Sequence, residues 1–314
     1  MKAAVLIKYG SADNLEVVDS FEPNASDLKK REVLINVKAS SVNPIDYKVR
    51  NGRLKWAMSP KFPKIMGSDF SGVILSSQHH LFKAGEEVYG YITTTKGGAY
   101  AEKLIMKGKK IGRKPKNFTH QETAALPMAG ITALQALRDI GGIKEGDQVL
   151  INGCAGGVGH LAVQIAKYYQ ASVTGICSTG KIDYAKSLRT DRIIDYKQED
   201  IHDRMQQYRI IFDTVGNLSF QTMKPYLSKK GIFVATNVYP GKVWAMITSI
   251  FSARKARIVL ANANHDDFQF LSNLSEHGHL KPYIEKEYPL KDIADAQKHL
   301  EKGHVQGKIV VNIA

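Results

Sequence analysis

From the N-terminus the chain presents short runs in which apolar residues alternate with polar ones or stand together: AAVLIK, EVLINVKAS, DFSGVILS, EEVYGYI and AYAEKLIM. Gly, Pro, Asn and Asp separate them, so the pattern predicts short strands joined by turns, suited to an antiparallel barrel. From Gln148 the rhythm changes. VLING reads as a buried strand, and GGVGHLAVQIAKYY places Val158, Leu161, Ala162, Ile165 and Ala166 on one helix face. SVTGIC (strand), IDYAKSLR (helix), RIID and YRIIFDTVG (strands), SFQTMKPYL (helix) and GIFVATN (strand) follow. Strands alternating with short helices predict right-handed crossovers and a doubly wound parallel sheet, an α/β fold. RIVLAN at 257–262 is the expected edge strand, and mixed helix and strand after Asn262 ends in GKIVVNI.

Length supports this division, because 314 residues exceed what one hydrophobic core usually holds. Apolar residues make up 43% and charged residues 24%, which excludes a disordered or fibrous chain. Two cysteines, Cys154 and Cys177, cannot supply a four-cysteine zinc lobe or a disulfide framework, and their scarcity favours a reducing compartment. MKAAVLIKYG lacks a hydrophobic region of signal-peptide length, and no apolar run is long enough to span a bilayer. A soluble, cytoplasmic protein is expected.

Lysine and arginine total 44 against 30 acids, a net charge of +14. Such a balance points to polyanions: nucleic acid, an acidic membrane surface, or a phosphate-rich cofactor. The tightest groups are Lys107, Lys109, Lys110, Arg113, Lys114 and Lys116, then Arg254, Lys255 and Arg257. Neither is interleaved with aromatics as a single-strand binder requires, so both read as solvated faces and nucleic acid is not expected.

The most specific motif is QVLINGCAGGVGHLAVQIAK, where a strand runs into Gly153 and glycines follow at 156, 157 and 159 before the helix. Gly156 and Gly157 have no Cβ to keep a pyrophosphate from the backbone, and Gly159 lets the helix pack closely on the sheet. Amide groups at the positive end of the helix then hold the phosphates. An NAD enzyme carries Asp or Glu about 20 residues past the first glycine, to bond the ribose hydroxyl. Here the second strand ends in Ile176-Cys177-Ser178-Thr179-Gly180-Lys181, with no acid before Asp183. Ser178 and Thr179 can donate to a 2′-phosphate and Lys181 adds positive charge, so NADPH (NADP+) is the expected cofactor.

At this point the sequence resembles the medium-chain dehydrogenase/reductase superfamily, in its zinc-free quinone oxidoreductase branch of zeta-crystallin-like and chloroplast-envelope-type proteins. The resemblance is carried by SSVNPIDYKVRNG (40–52), FPKIMGSDFSGVI (62–74), GGAYAEK (97–103), ALPMAGITALQAL (125–137), the glycine turn, IIFDTVG (210–216) and GHVQGKIVV (303–311). It implies a GroES-like β-barrel catalytic domain over 1–120, a Rossmann NADP-binding domain over 121–262, and a return to the catalytic domain over 263–314. A cofactor cleft between the domains and a homodimer paired through the Rossmann edge strand 257–262 are also implied. Zinc members carry Cys where this chain has Asn43, and Gly-His-Glu where it has Gly67-Ser68-Asp69; the third ligand position falls near Met128. No metal is therefore expected, nor do scattered histidines such as His79, His80, His277 and His279 restore a site.

The resemblance assigns cofactor contact to Asn43, Thr132, Gly156, Gly157, Val158, Ser178, Lys181, Tyr196, Val215, Asn237 and Lys308. Asp213 reads as a structural strand end. The activity it implies is zinc-independent hydride transfer from NADPH to a quinone, or to the activated C=C of an α,β-unsaturated carbonyl. Asn43 is expected to hold the nicotinamide carboxamide or the acceptor oxygen. Tyr47 or Lys48 is expected to hydrogen-bond the developing enolate, with the proton drawn from water. The segment 239–256, YPGKVWAMITSIFSARKA, reads as a mobile substrate wall, as an amphipathic helix buried against the barrel or a partner, or as a peripheral contact with anionic membrane. The alternative function is a non-catalytic NADPH-binding protein whose basic surface contacts RNA or membrane.

Overall fold

Strand pairing in the first part of the chain follows from the alternation noted above: Val33, Ile35 and Val37 enter one core with Phe70, Ile74, Val88, Ile309 and Val311. The computed structural model describes all residues except 21, 56–60, 94–95, 238 and 314, and except the side chain of residue 251. The chain divides into two compact units, Met1–Met128 with Ala263–Ala314, and Ala129–Asn262.

In the first unit a seven-stranded sheet runs, among the described residues, in the order Ile284–Pro289, Lys308–Asn312, Glu32–Ser41, Asp69–Ser77, Glu87–Tyr91 and Ile111–Arg113. Lys103–Lys107 also pairs with Glu32–Ser41. Register shifts at Leu34/Ile35 and Val37/Ala39 mark bulges that bend Glu32–Ser41, as a barrel wall requires. A smaller sheet joins Leu15–Asp19, Lys2–Leu6 and Lys64–Ile65. The strand Lys308–Asn312 lies antiparallel on the end of Glu32–Ser41, with Val310 opposite Ser41. Helix α1, Pro44–Arg50, starts just beyond that point, with Pro44 supplying a preset first-turn φ. The helix His120–Ala124 packs on Glu32–Ser41 and Asp69–Ser77, so this unit runs to Met128 where residue 120 was expected to close it.

Among the described residues the second unit holds six parallel strands: β1 Gln148–Asn152, β2 Ser172–Cys177, β3 Arg192–Asp195, β4 Tyr208–Asp213, β5 Leu227–Ala235 and β6 Lys255–Ile258. Their order is β3-β2-β1-β4-β5-β6, the doubly wound arrangement. Leu150, Ile176, Ile194, Ile211, Phe233 and Ala256 share a core cluster on this sheet. Helix α2, Gly159–Tyr168, follows β1 and buries Leu161, Ala162, Ile165 and Ala166, the face its spacing predicts. Helix α3, Pro240–Thr248, precedes β6. The edge strand departs from the expected 257–262. Val259 still donates its N–H to Ala235 O, but Asn262 is bonded at both its N–H and its C=O to the Gln135 side chain. That amide substitutes for strand pairing and ends the strand early. Among the described residues no helix is long and apolar enough to cross a membrane.

Candidate active site

Asn43 sits where Glu32–Ser41 gives way to α1, and its backbone N–H donates to the Asp46 carboxylate at 2.8 Å. Its side chain is held at both ends. Oδ1 accepts from Lys308 Nζ at 2.6 Å, and Nδ2 donates to Asp69 Oδ2 at 2.9 Å. Lys308, only 3% exposed, also donates to Val42 O at 3.1 Å and stands 3.5 Å from Asp69 Oδ2. Asp69 accepts further from Ser41 Oγ at 2.7 Å and from the Met128 N–H at 3.0 Å. Asp46 accepts from Ser68 Oγ and Tyr100 OH, each at 3.0 Å.

Both carboxylates are fully buried, and a buried charge is tolerated only when it is paired and hydrogen-bonded. Burial, reinforced by the Asp69 charge, pushes Asp46 up to about 6, although the Asn43 amide pulls it down. Burial likewise holds the Lys308 ammonium below the ordinary lysine value, against the opposing pull of Asp69 and Asp46. Tyr47 and Lys48 lie on α1, both half-buried, and burial, with Arg53 nearby, also lowers Lys48. The structure thus brings Asn43 and Lys308 into direct contact and puts Tyr47 and Lys48 one turn along the helix that Asn43 begins.

Protein zinc sites are built on Cys thiolates and His imidazoles in a tetrahedral array, with carboxylate oxygens as further donors. At the corresponding positions this unit offers an amide, a hydroxyl and a carboxylate, and the Lys308 ammonium adds positive charge to the cluster. The residues do not fit zinc. Among the described residues no group of three or more His, Cys, Asp or Glu is arranged to hold a metal. His79 and His80 stack on one another with ring centroids 4.7 Å apart.

In the second unit the glycine turn links β1 to α2. A Cβ on Gly159 would lie 2.0 Å from Gly153 O, so only glycine lets the helix start this close to the strand end. The N-cap residue of α2, Val158, makes no side-chain cap, and backbone amides at such a helix start suit a ligand's phosphates. Gly156 and Gly157 precede Val158, the residue before the first helical position. A dinucleotide fits this cradle.

The neighbouring strand tips complete a rim. Ser178 is half-buried at the end of β2, and Lys181 closes the following turn. Tyr196, 42% exposed, donates its backbone N–H to Cys177 O, which brings it alongside Ser178, and the Lys197 ammonium lies 5.5 Å from its ring centroid. Thr179, expected to face the cofactor, instead donates its hydroxyl to Asp195 Oδ2 at 2.6 Å. That carboxylate, at the tip of β3, lies beyond the window in which the motif places its acid. Thr132, in the helix Pro127–Leu134, is buried.

On the far side of β1, fully buried Asp213 organises a hub that sequence reasoning reduced to a strand end. It accepts from Asn152 Nδ2 at 2.8 Å, Gly216 N at 2.8 Å, Leu218 N at 3.2 Å and Lys242 Nζ at 2.8 Å. Lys242 also donates to Asn237 Oδ1 at 2.7 Å, and Asn237 Nδ2 donates to Gly216 O. Gly216 has φ +95°, and a Cβ there would strike Asn237 at 1.8 Å. These bonds hold the exposed Val215 at the turn's tip and fix Asn237 beside it. Lys242 and Asn152 carry no reading from the sequence, and Asp213 only that of a strand end, because their partners are distant in sequence.

Helix α3, within the segment read as a substrate wall, as a helix buried against the barrel or a partner, or as a membrane contact, leaves most of its apolar residues uncovered by this chain. Trp244 is 64% exposed, Ile247 and Ile250 are about half exposed, Met246 is half-buried, and only Ala245 enters the core; the Phe251 side chain lies outside the described residues. Part of each basic group is engaged within the fold. Lys114 pairs with Glu87 at 3.2 Å, Arg113 with Glu86 at 3.3 Å, and Arg254, Lys255 and Arg257 each donate to a backbone carbonyl.

Comparison with known proteins accounts for both units. Residues 29–116 match the alcohol dehydrogenase GroES-like domain, and residues 188–311 match a zinc-binding dehydrogenase family, a span that contains none of Asn43, Ser68 or Asp69. A chloroplast envelope quinone oxidoreductase homolog of Arabidopsis thaliana is 31% identical over 315 residues, covering 96% of this chain and 95% of that protein. An NADPH-dependent alkenal/one oxidoreductase, chloroplastic, of the same plant is 33% identical, covering 99% of this chain and 79% of that protein. The solved quinone oxidoreductase of Coxiella burnetii superposes with a TM-score of 0.90 at 31% identity, over 100% of this chain and 99% of that one. With a GroES-like unit, a parallel-sheet unit of the Rossmann order and relatives aligned along nearly the whole chain, the protein belongs to the medium-chain dehydrogenase/reductase superfamily, in its zinc-free quinone oxidoreductase-like branch.

Proposed function

We propose that the chain is a zinc-independent, NADPH-dependent oxidoreductase acting on a small molecule, either a quinone or the activated C=C of an α,β-unsaturated carbonyl. The observation that carries this reading is the buried Asn43–Lys308–Asp69 cluster, in which a fixed ammonium and amide stand where a Lewis acid would need thiolates. Relatives named as quinone and alkenal/one oxidoreductases support the acceptor class. The glycine turn and the Ser178 rim support the cofactor.

When bound, NADPH supplies a hydride from its dihydronicotinamide ring. The chain supplies position and electrostatics. The glycine turn and the uncapped start of α2 take the pyrophosphate through backbone amides. Ser178 and Lys181 take the 2′-phosphate, and Tyr196 lies against the adenosine. Thr132, Val215 and Asn237 position the nicotinamide. In the barrel unit, Lys308 and Asp69 pin the Asn43 amide and fix the direction in which its second N–H donates. Conjugated acceptors spread the incoming charge onto the carbonyl oxygen, where Tyr47 or Lys48 donates a hydrogen bond. A half-buried ammonium with a lowered pKa donates more readily than a solvated one.

The test is loss of NADPH absorbance with a panel of quinones and alkenals, run beside a gel shift with RNA at several salt concentrations. Turnover without a shift is expected; a shift without turnover would replace this reading with the non-catalytic one. We also infer a homodimer in which the exposed edge of β6 pairs with its copy, to be checked by light scattering with Ile258→Pro as the pairing-deficient variant, since the Val259 N–H points to Ala235 and that of Ile258 to the opposite side.

A further inference from the structure

The chain's two cysteines take no part in the chemistry above, yet the fold sets them side by side. Cys154 follows Gly153 in the glycine turn, and Cys177 ends β2 just before Ser178. β1 and β2 are neighbours with Asn152 opposite Ile176, and both Gly153 and Cys154 donate their N–H to Ile176 O, at 3.0 and 3.1 Å. A Cβ on Gly175 would lie 2.6 Å from Cys154 Sγ, so this thiol lies across β2 on the face that residues 175 and 177 share. Both thiols are free and buried. The interaction between the two thiols raises Cys154, with burial adding to it, and lowers Cys177 against burial and the Asp195 charge. Cys177, at the end of β2 beside the rim and 4% exposed against 0% for Cys154, is the thiol a peroxide reaches first, and Cys154 is the resolving thiol.

We propose that Cys154 and Cys177 form a dithiol modification site that closes, on reaction with a hydroperoxide, to a reversible intramolecular disulfide that weakens dinucleotide binding. In the first step the Cys177 thiolate attacks the peroxide. The O–O bond breaks, leaving a Cys177 sulfenic acid and releasing an alcohol, or water from hydrogen peroxide. In the second, Cys154 attacks that sulfur, the S–S bond forms, the S–O bond breaks and water leaves with the thiol proton. Two thiols are oxidised and one peroxide is reduced.

Bond formation draws the two free sulfurs together to about 2.05 Å. β2 is paired on both sides, to β1 and to β3, so the glycine turn takes up the displacement. That turn is packed against itself at Gly159 and has no slack. The effect on affinity rests on the reading of this turn as a dinucleotide site; the disulfide itself does not.

The experiment treats the reduced full-length protein with hydrogen peroxide, alkylates the remaining thiols, and maps peptides by mass. A linked Cys154–Cys177 peptide that dithiothreitol removes is expected. The NADPH dissociation constant, followed by fluorescence, should rise at least tenfold on oxidation and recover on reduction. Cys177→Ser should bind like the reduced protein and ignore peroxide. Cys154→Ala should stop at a sulfenic acid on Cys177, which dimedone traps. Full alkylation of both thiols after peroxide, or a linked peptide with unchanged affinity, overturns the proposal. Failure of the reduced protein to bind NADPH overturns the cofactor reading, and with it the effect on affinity, whereas the linked peptide reports on the thiols alone.

Discussion

Lys308 and Asn43 lie 265 positions apart and meet at 2.6 Å. Lys308→Met removes the cation from a fully buried carboxylate, so it should cost about 3 kcal/mol or more in denaturant unfolding, because breaking a buried pair leaves one charge uncompensated. Asn43→Ala is expected to lower kcat/KM at least tenfold with quinone and alkenal alike, and Lys48→Met to lower kcat by a smaller factor; unchanged turnover in both variants would remove these residues from the mechanism. Asp46 gives a signature in pH. Its folded pKa of about 6 stands above the reference 3.8, so the folded state holds the proton more tightly. This group's contribution to stability is complete below pH 4 or so and is lost as pH rises through about 6. Urea midpoints of the wild type should therefore fall relative to those of Asp46→Asn across that window; parallel curves would contradict the assignment.

At the scale of elements, the strand–turn–helix from β1 to α2 was legible because every part of its signal is local. A buried strand, glycines at fixed offsets and an apolar helix face all fall within one short segment. Gly159→Ala tests that unit: a methyl placed 2.0 Å from Gly153 O must push the turn open, and NADPH affinity should drop at least tenfold while the sheet stays folded by circular dichroism. The Asp213 hub was not legible, because its bonds join residues 61 and 29 positions apart through side chains that sequence alone reads as ordinary polar positions. Lys242→Met should free the turn at Val215 and speed amide hydrogen exchange at Gly216 and Leu218; unaltered exchange would make the ion pair incidental. The exposure of α3 was hidden for a different reason. Apolar periodicity marks a face that avoids water, but it does not say whether that face is covered.

For the molecule as a whole, the division into a barrel and a doubly wound sheet followed from the change in hydrophobic period near Gln148, while the handover at Met128 depended on a short helix packing back onto the barrel. The net charge of +14 pointed toward polyanions. In its densest clusters Arg113 and Lys114 pair with acids and Arg254 and Lys255 bond backbone carbonyls, while the Ser178–Lys181 rim is where we propose that a phosphate-bearing coenzyme meets the positive charge. Dissociation constants should accordingly favour NADPH over NADH by tenfold or more at low salt, narrowing as salt screens Lys181; equal affinities would reject the 2′-phosphate assignment. Completion of the barrel by its last strand has a bearing on how the protein is born. A ribosome will have released the entire parallel-sheet unit, free to collapse by itself, while Asp69 still waits without its cation. Until residue 308 is joined to the chain, Asp69 and the Asn43 amide lack the ammonium that holds them, so a fragment ending before it is without the cluster on which the proposed chemistry rests.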